Sequence, residues 1–369
     1  MKIKVEKEEL QRVLQGIQGI VERRNTMPIL NHCLFMVSGQ KTWVLATDLE
    51  IALKEPVKAE VIKEGGLCVP ARKLFEITKE VEDGITLEAQ ENNWLKVKAG
   101  LSAFKLIGLP EEEYPQLPKT DNVERIEVQS EVLKKMIEKT IYAAGDSDTR
   151  YTLNGLLLHF IPVKDETELR IVGTDGHRLS VIARMINAKV SGEKKLILPK
   201  KAAQELRRLL EEIEGMLTIG IEKNHLFFQL DEVLFTSRLI EGTYPNYEQV
   251  IPKLGDKKLG IDRGLLIKAI RRTAIMSREK SNAVRMDVED GKITMVSSNP
   301  DIGEAKDEVA VEYKGEAVSI GFNARYLLDA LLAAEGEKVT LEMHDALSPT
   351  MLKDEADEGY KNVIMPMRI

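Results

Sequence analysis

The 369-residue chain lacks several features that would place it in particular protein classes. It has two cysteines, Cys33 and Cys68, so one disulfide at most could form, and such low cysteine usage fits a reducing compartment. No stretch approaches about 18 uninterrupted apolar residues, and the opening segment MKIKVEKEEL has no apolar signal-peptide core. We therefore expect no secretion and no membrane partner, and we predict a cytoplasmic protein.

The chain also lacks an excess of positive charge. It carries 53 Lys and Arg against 60 Asp and Glu, for a net charge of −7. A protein that grips nucleic acid by bulk charge is usually basic. Any role on DNA must therefore depend on local charge or on topology.

Sequence signals for cofactors and metals are missing. The five histidines show no metal-ligand spacing with the cysteines, and there is no Walker or dinucleotide-binding glycine pattern. We expect no cofactor and no metal.

One short segment suggests a hydrolase, because Asp175, His177 and Ser180 lie within six residues. Neighbouring side chains of a strand point to opposite faces, so these three cannot easily converge as a triad. No G-x-S-x-G elbow accompanies them. We predict no catalytic residues and no enzyme activity.

What the chain does contain is a threefold repeat. An amphipathic helix pattern with a polar or acidic entry occurs three times, at 5–21, 128–144 and 261–277. A second helix pattern follows a short apolar strand each time, in segments that begin at Val69, Leu198 and Phe322. The turn residues Asp48, Asp175 and Asn299 recur at the same spacing, roughly 125 residues.

Alternating segments fill the rest of each repeat, for example 94–98, 226–230 and 338–343, and indicate half-buried antiparallel strands. Each repeat should hold two helices and about eight short strands, with the helices packed on antiparallel sheets in an α+β fold. Connectors rich in proline and charge at 109–122 and 251–258 indicate the borders. We predict three domains, 1–120, 121–253 and 254–369.

Basic residues recur on what should be the non-core faces of these helices. Each group taken alone is typical of a solvated helix face, and their recurrence in three repeats favours a shared surface instead. The residues are Arg72, Lys73, Lys134, Lys135, Lys139, Lys200, Lys201, Arg207, Arg208, Arg263, Lys268, Arg271 and Arg272.

Short strings along the whole chain resemble the β subunit of bacterial replicative DNA polymerase, the sliding clamp family. Their order and the threefold period together carry the resemblance. The strings are TMPIL from Thr26, ATDLE from Ala46, VPARK from Val69, YTLNG from Tyr151, TDGHRL from Thr174, FTS from Phe235, YPNY from Tyr244, GFN from Gly321 and MPMRI from Met365.

The resemblance implies the DNA clamp fold and a head-to-tail homodimer that closes as a ring, with helices lining the hole. Such a ring would encircle double-stranded DNA without sequence specificity and act as a processivity factor. The implied partners are the replicative DNA polymerase catalytic subunit, a clamp loader, and other clamp-motif proteins of replication and repair. The implied location is the bacterial cytoplasm, at the nucleoid.

The family's DNA-contacting regions match basic residues of this chain. Three of them lie in loops, and the others lie on the helices. The residues are Arg23, Arg24 and Arg150 in loops, and Arg72, Lys73, Lys200, Lys201, Arg271 and Arg272 on helices.

The family's dimer contact matches Phe104 on one side, and Ile275 and Met276 on the other. These residues could equally be ordinary core residues. Lysines in the first repeat and acidic residues around 301–308 in the third carry the opposite signs that a heterologous interface would use.

The resemblance also implies a hydrophobic peptide-binding pocket between the second and third domains. The apolar terminal run VIMPMRI is unusual for a chain end, and methionine suits a surface that accepts several partners. Gln249 and Pro349 depart from the commonest family pattern. The matching residues are Leu153, Thr174, Gly176, His177, Arg178, Leu179, Pro245, Val250, Asn323, Tyr326, Leu347, Val363, Ile364, Met365, Pro366 and Met367.

A repeat scaffold that binds peptides but never contacts DNA shares the pocket and the repeats. It differs only in the role of the basic helix faces. The two alternatives stay open at the level of sequence.

Overall fold

The computed structural model describes residues 1–21, 27–82, 84–118, 123–146, 149–252, 255, 257–278 and 281–368. Six α-helices and 25 strands lie within these ranges. Each repeat contributes two helices and eight or nine strands, which confirms the predicted content.

The first repeat contains nine strands and two helices. They are β1 (Lys2–Val5), α1 (Lys7–Gly16), β2 (His32–Ser38), β3 (Lys41–Thr47), β4 (Ile51–Val57), β5 (Ala59–Lys63), β6 (Gly65–Pro70), α2 (Ala71–Glu80), β7 (Ile85–Ala89), β8 (Trp94–Ala99) and β9 (Ser102–Ile107).

The second repeat follows the same order with eight strands. They are β10 (Glu124–Gln129), α3 (Ser130–Glu138), β11 (Gly155–Val163), β12 (Glu166–Thr174), β13 (Arg178–Ile186), β14 (Lys194–Pro199), α4 (Lys200–Glu212), β15 (Met216–Ile221), β16 (His225–Leu230) and β17 (Val233–Arg238).

The third repeat also has eight strands. They are β18 (Lys257–Asp262), α5 (Arg263–Ala274), β19 (Ala283–Glu289), β20 (Lys292–Asn299), β21 (Gly303–Ala310), β22 (Val318–Asn323), α6 (Ala324–Ala333), β23 (Lys338–Met343), β24 (Thr350–Asp354) and β25 (Asp357–Ile364).

All six predicted helices are present, and each is shorter than its sequence pattern. The pattern at 5–21 yields α1 over Lys7–Gly16, because Val5 already pairs in β1 and residues 17–20 form turns. Helix α5 shows how an end is set: the carboxylate of Asp262 accepts the amide of Leu265 at 2.8 Å, which caps the first turn. The apolar stripe continues past the regular helix, so periodicity alone overestimates the length.

The chain forms two compact units, residues 1–131 with 204–239, and residues 132–203 with 240–369. In the first unit, one sheet has the order β5-β1-β7-β8-β9, and an eight-stranded sheet has the order β10-β15-β16-β17-β4-β3-β2-β6. In the second unit, an eight-stranded sheet has the order β14-β11-β12-β13-β25-β24-β23-β18, and a four-stranded sheet has the order β21-β20-β19-β22. All the pairings are antiparallel, as predicted.

Each eight-stranded sheet takes four strands from each of two successive repeats. The seam is β4 against β17 in the first unit and β13 against β25 in the second. At these seams Ala52 faces Thr236, and Leu179 faces Val363. The two seams occupy corresponding positions in the repeat.

One prediction about the basic helix faces is wrong. Lys139 follows α3 and is only 4% exposed. Its Nζ donates to Oδ2 of Asp357 at 2.9 Å and lies 4.9 Å from the centre of the Tyr360 ring. Burial of a lysine requires such partners. Lys139 therefore forms an internal ion pair with Asp357 in the second unit and is not part of a solvated face.

Both cysteines are buried and free. Burial raises the pKa of the Cys68 thiol to about 12, which makes it a poor nucleophile. Within the described ranges, no helix is long and apolar enough to span a membrane.

Candidate functional site

An apolar cavity of about 210 Å³ lies in the second unit. It will be called the partner pocket. It opens where β12 turns into β13, and the last strand, β25, forms one side. Its lining residues are Arg150, Leu153, Thr174, Gly176, Arg178, Leu179, Pro245, Tyr247, Val250, Val363 and Met365.

The turn 174–178 shapes one edge of the partner pocket. The carboxylate of Asp175 accepts the amides of His177 and Arg178 at 2.9 and 3.0 Å, and the Thr174 hydroxyl donates to the Arg178 carbonyl at 2.6 Å. Gly176 has φ of +84°, and a Cβ there would lie 2.6 Å from the Arg150 guanidinium. The backbone therefore favours glycine at this position, and any larger residue would also displace the guanidinium of Arg150.

Arg178 fixes the same turn to helix α6. Its guanidinium donates to Asp175 at 3.0 Å, to Asp329 of α6 at 2.6 Å and to the Tyr142 carbonyl at 2.6 Å. It also lies 4.5 Å from the ring centre of Tyr326. A planar guanidinium can satisfy these partners at once, so Arg178 holds elements of the second and third repeats together beside the pocket.

The apolar end of the chain is docked at the pocket. Val363 pairs with Leu179 across the seam, and the Met365 amide donates to the His177 carbonyl at 2.9 Å. The Met367 amide donates to the Gly321 carbonyl at 2.8 Å. Val363 and Ile364 thus belong to strand β25, and Met367 is held by an isolated bridge to Gly321. Val363 and Met365 line the cavity.

Tyr247 lines the cavity and is held by a polar network that runs from the buried His159 to carboxylates at the surface. Nδ1 of His159 lies 2.8 Å from its hydroxyl, and Nε2 of His159 lies 2.8 Å from Oε1 of Glu193. Arg170 donates to the same hydroxyl at 3.3 Å and to Glu248 at 2.7 Å. Burial lowers the pKa of His159, so it is neutral at pH 7.

The structure brings most of the predicted pocket residues together at this cavity. Those that line it are Leu153, Thr174, Gly176, Arg178, Leu179, Pro245, Val250, Val363 and Met365.

The other predicted pocket residues lie nearby in the fold or at separate positions. The ring of His177 stacks on Tyr326 at 6.5 Å between centroids. Asn323 caps α6 by accepting the amide of Arg325. Leu347 lies exposed in the loop between β23 and β24, and Ile364 is buried. Pro366 and Met367 follow β25 and are half-buried.

Two lining residues were not predicted for the pocket. Tyr247 belongs to the string YPNY, but nothing in its spacing separated it from ordinary core tyrosines. Arg150 was predicted for DNA contact; its guanidinium donates to the Asp175 carbonyl at 3.1 Å and lines the cavity instead of standing apart from it.

The remaining predicted basic residues have diverse surroundings. Arg72 donates to the Val21 carbonyl, and Lys73 pairs with Glu76. Lys200 binds the Ala144 carbonyl and Asp146, and Arg272 pairs with Asp307. Lys201 is half-buried and Arg271 is exposed, both on helices, whereas Arg23 and Arg24 lie outside the described residues.

The residues predicted for a dimer contact lie at the two ends of the repeat series. Phe104 lies on β9, the edge strand of its sheet, and is half-buried. Ile275 follows α5 and is 72% exposed, and Met276 next to it is half-buried. An apolar side chain as exposed as Ile275 is not a core residue.

The suspected triad does not assemble. The Ser180 hydroxyl donates to the Lys139 carbonyl at 2.6 Å, the Asp175 carboxylate is bound to its own turn and to Arg178, and the His177 ring stacks on Tyr326. Nucleophile, base and acid have separate partners, so the geometry for acyl transfer is not formed.

Three family models of the DNA polymerase III β subunit match the chain in order. The N-terminal domain matches residues 1–118, the central domain matches 127–246, and the C-terminal domain matches 248–368. These ranges cover nearly the whole chain.

Curated relatives are similar over their full length. The beta sliding clamp of Pseudomonas putida is 37% identical over 371 residues, and that of Caulobacter vibrioides is 36% identical over 372 residues, with all of both chains covered in each case. A crystal structure of the Pseudomonas aeruginosa sliding clamp bound to griselimycin superposes with a TM-score of 0.94 at 36% identity, again over all of both chains. With its three domains matched in order and its full length shared with these relatives, the chain belongs to the family of the DNA polymerase III β subunit, the β sliding clamps.

Proposed function

We propose that this chain is a DNA sliding clamp. It is a non-catalytic processivity factor that encircles duplex DNA without sequence specificity and tethers the replicative polymerase through the partner pocket. The observation that carries the proposal is the complete series of three clamp domains, matched over the full length of sliding clamps. The apolar, partly methionine-lined cavity supplies a binding surface of the expected kind.

We propose domain borders at 1–120, 121–253 and 254–369. The family models match residues 1–118, 127–246 and 248–368, in the same order and with their borders close to the proposed ones. Each border falls in a connector between the last strand of one repeat and the first strand of the next.

Two chains should close head to tail as a homodimeric ring. The sheet edge formed by β9 offers unpaired backbone groups and the side chain of Phe104, and β21 offers the corresponding edge in the third repeat. The exposed Ile275 and its neighbour Met276 lie in the third repeat. Lysines on β8 and β9 and acidic residues on β21 give the two edges opposite charge.

DNA contact should come from the basic helix faces and loops, with binding weak enough to permit sliding. Of the predicted residues, Arg271 and Lys73 are exposed and suit contact with phosphates. Lys200 and Arg72 also donate hydrogen bonds to backbone carbonyls of the same chain, so each has a structural role besides the proposed contact with DNA. The remaining residues in this proposal are Arg23, Arg24, Arg150, Lys201 and Arg272.

The partner pocket should accept short peptide segments of several proteins. We infer the replicative polymerase, the clamp loader and other clamp-motif proteins of replication and repair as its ligands. Because relatives bind griselimycin, we expect this chain to bind it too. The residues proposed to recognise these ligands are those lining the cavity together with His177, Asn323, Tyr326, Leu347, Ile364, Pro366 and Met367. The expected location is the bacterial cytoplasm, at the nucleoid.

The decisive experiment tests encirclement. The protein is loaded on nicked circular DNA with a clamp loader, and its retention is measured by gel filtration before and after the circle is cut. A clamp is retained on the circle and lost on linearisation. Retention that responds only to salt, and not to cutting, would contradict encirclement, because electrostatic binding depends on ionic strength and not on topology.

The alternative of a peptide scaffold that never contacts DNA is tested by charge reversal. Lys73→Glu together with Arg271→Glu should reduce retention on the circle several-fold. Lys164→Glu together with Lys223→Glu, at two exposed lysines in turns between strands, serves as the matched change away from the helices and the proposed subunit contact. Griselimycin affinity should be unchanged in all of them. Equal retention of every variant would favour the scaffold.

A further inference from the structure

We propose that the protein has a second ligand site, a cavity of about 110 Å³ in the first unit that takes a short extended peptide with a hydrogen-bonding side chain. It will be called the first-unit cavity. It lies between the turn that joins β3 to β4, the connector after β9, and strands β16 and β17. The turn, the connector and β17 are the repeat equivalents of elements that build the partner pocket, whereas β16 contributes only to the first-unit cavity. The kind of ligand rests on the function proposed for the partner pocket.

The two cavities share the same turn. In the first unit, the carboxylate of Asp48 accepts the amides of Glu50 and Ile51 at 2.9 and 2.7 Å, and the Thr47 hydroxyl donates to the Ile51 carbonyl at 2.8 Å. This set of bonds repeats, residue for residue, the turn 174–178 at the partner pocket. A locally rigid edge is therefore present at both cavities.

The turns differ at their third residue. Leu49 has φ of +76°, a left-handed backbone conformation that glycine adopts at the equivalent Gly176. This conformation is strained for a bulky residue. Leu49 nevertheless lines the first-unit cavity with 53% of its surface exposed, which places an apolar side chain at the mouth.

The seam strands also correspond. Ala52 and its partner Thr236 occupy the positions that Leu179 and Val363 occupy at the partner pocket. The connector at each cavity carries the dipeptide Tyr-Pro, and its proline lines the cavity. This proline is Pro115 in the first unit and Pro245 in the second. The two cavities therefore share corresponding backbone elements but differ in the side chains that line them.

Thr236 gives the first-unit cavity its own chemistry. Its residue is 3% exposed and lines the cavity, and its hydroxyl has no hydrogen-bond partner within the part of the chain that the structure describes. A buried hydroxyl without a partner destabilises the folded chain. The hydroxyl oxygen is turned away from the open cavity, so a ligand reaches it when the Thr236 side chain rotates about its Cα–Cβ bond. A donor or acceptor placed there then satisfies the hydroxyl, which an apolar ligand cannot do.

The size of the cavity and the residues at its rim further limit which ligands can bind. Its volume is about half that of the partner pocket, about 110 against 210 Å³, and it admits one small side chain. His225 and Glu50 line it in addition, so polar groups surround a small apolar floor. The occupant that fits is a partner segment with Ser, Thr, Asn or Gln beside a small aliphatic residue.

The test uses a phage-displayed library of random heptapeptides selected on the full-length protein with saturating griselimycin present. Enriched peptides are synthesised with a fluorescent label, and their affinity is measured by polarisation. We expect peptides that resist griselimycin competition and that bind Thr236→Val at least tenfold more weakly. Ala52→Leu, which fills the cavity, should weaken them as strongly.

Two results would overturn the proposal: no enrichment of peptides that resist griselimycin, or resistant peptides that bind both variants as tightly as the natural chain. Thr236→Val preserves shape and removes only an unpaired hydroxyl, so a folding defect is not expected. A failure of griselimycin to bind the natural chain would count against the partner pocket alone, because the two variants still report on the first-unit cavity.

Discussion

The Nδ1 atom of His159 lies 2.8 Å from the hydroxyl of Tyr247, behind the wall of the partner pocket. Arg170 donates to that hydroxyl, so the hydroxyl is free to donate its own proton to Nδ1, and Nε2–H then donates to Glu193. When His159 is neutral, every donor in this chain of hydrogen bonds therefore has an acceptor. Protonation of His159 reverses the direction of the Nδ1 bond and disturbs Tyr247.

The first prediction concerns pH. Burial lowers the pKa of His159, so as the pH falls through about 6.5 the unfolded chain takes up a proton before the folded chain does. This group therefore lowers the free energy of unfolding at acidic pH. The free energy of unfolding, measured by urea titration between pH 7.5 and 5.5, should therefore depend less steeply on pH in His159→Gln than in the natural chain. Griselimycin binding to this variant should lose its pH dependence. The control is His344→Gln on an exposed loop; equal slopes in both variants would contradict the prediction.

The second prediction concerns Glu55, whose carboxylate is buried in the first unit 3.5 Å from Arg12. Burial raises its pKa to about 7, while Arg12 opposes the shift and Glu212 and Glu9 add to it. The folded chain keeps this proton while the unfolded chain loses it near pH 4.5, so stability falls as the pH rises from about 4.5 to 7. Glu55→Gln should gain about 1–3 kcal/mol relative to the natural chain between pH 5 and 8.

The measurement for Glu55 is urea unfolding at several pH values, with Glu60→Gln as the matched control. Glu60 is an exposed carboxylate on neighbouring strand β5. A Glu55→Gln advantage that stays constant with pH would show that the carboxylate does not titrate in this range.

The third prediction concerns Arg178. Lysine cannot reproduce its bonds to Asp175, Asp329 and the Tyr142 carbonyl, since it lacks the planar fork. Arg178→Lys should lower the free energy of unfolding by about 2–3 kcal/mol and weaken griselimycin binding. Arg325→Lys, on the exposed face of α6, should change neither quantity by more than about 0.5 kcal/mol. Equal effects of the two substitutions in urea titration and calorimetry would refute the role of Arg178.

The fourth prediction concerns assembly. Ile275→Glu places a charge on an exposed apolar residue that we propose to lie in the subunit contact. It should shift the mass measured by light scattering from dimer to monomer at micromolar concentration, with the melting of the monomer little changed. Met185→Glu changes an equally apolar, exposed residue on β13 and should leave the dimer intact. A dimer in both variants would exclude Ile275 from the contact.

The sequence predicted the repeated elements well because they follow local rules. Apolar spacing identified each helix, and alternation identified strands such as β8 and β16. The resemblance to the sliding clamp family, residue by residue, implied most of the residues that line the partner pocket. The seams between repeats could not be predicted, because strand partners such as Ala52 and Thr236 lie far apart in the chain.

Buried polar contacts were the other limit. Lys139 has the spacing of a surface lysine, yet its charge is balanced by Asp357 from the end of the chain. His159 and Tyr247 read as ordinary core positions until their hydrogen bonds are seen. Such pairs depend on the tertiary structure, which periodicity does not encode.

The seams have a consequence for dissecting the protein. The predicted border near residue 120 divides the sequence, but β4 of the first repeat is hydrogen-bonded to β17 of the second. A fragment cut there would expose both strands along their length as unpaired edges, which favour aggregation. An isolated repeat would therefore be a poor substitute for the whole chain in binding or folding studies, and a one-residue insertion at a seam would turn pocket-lining side chains to the opposite face.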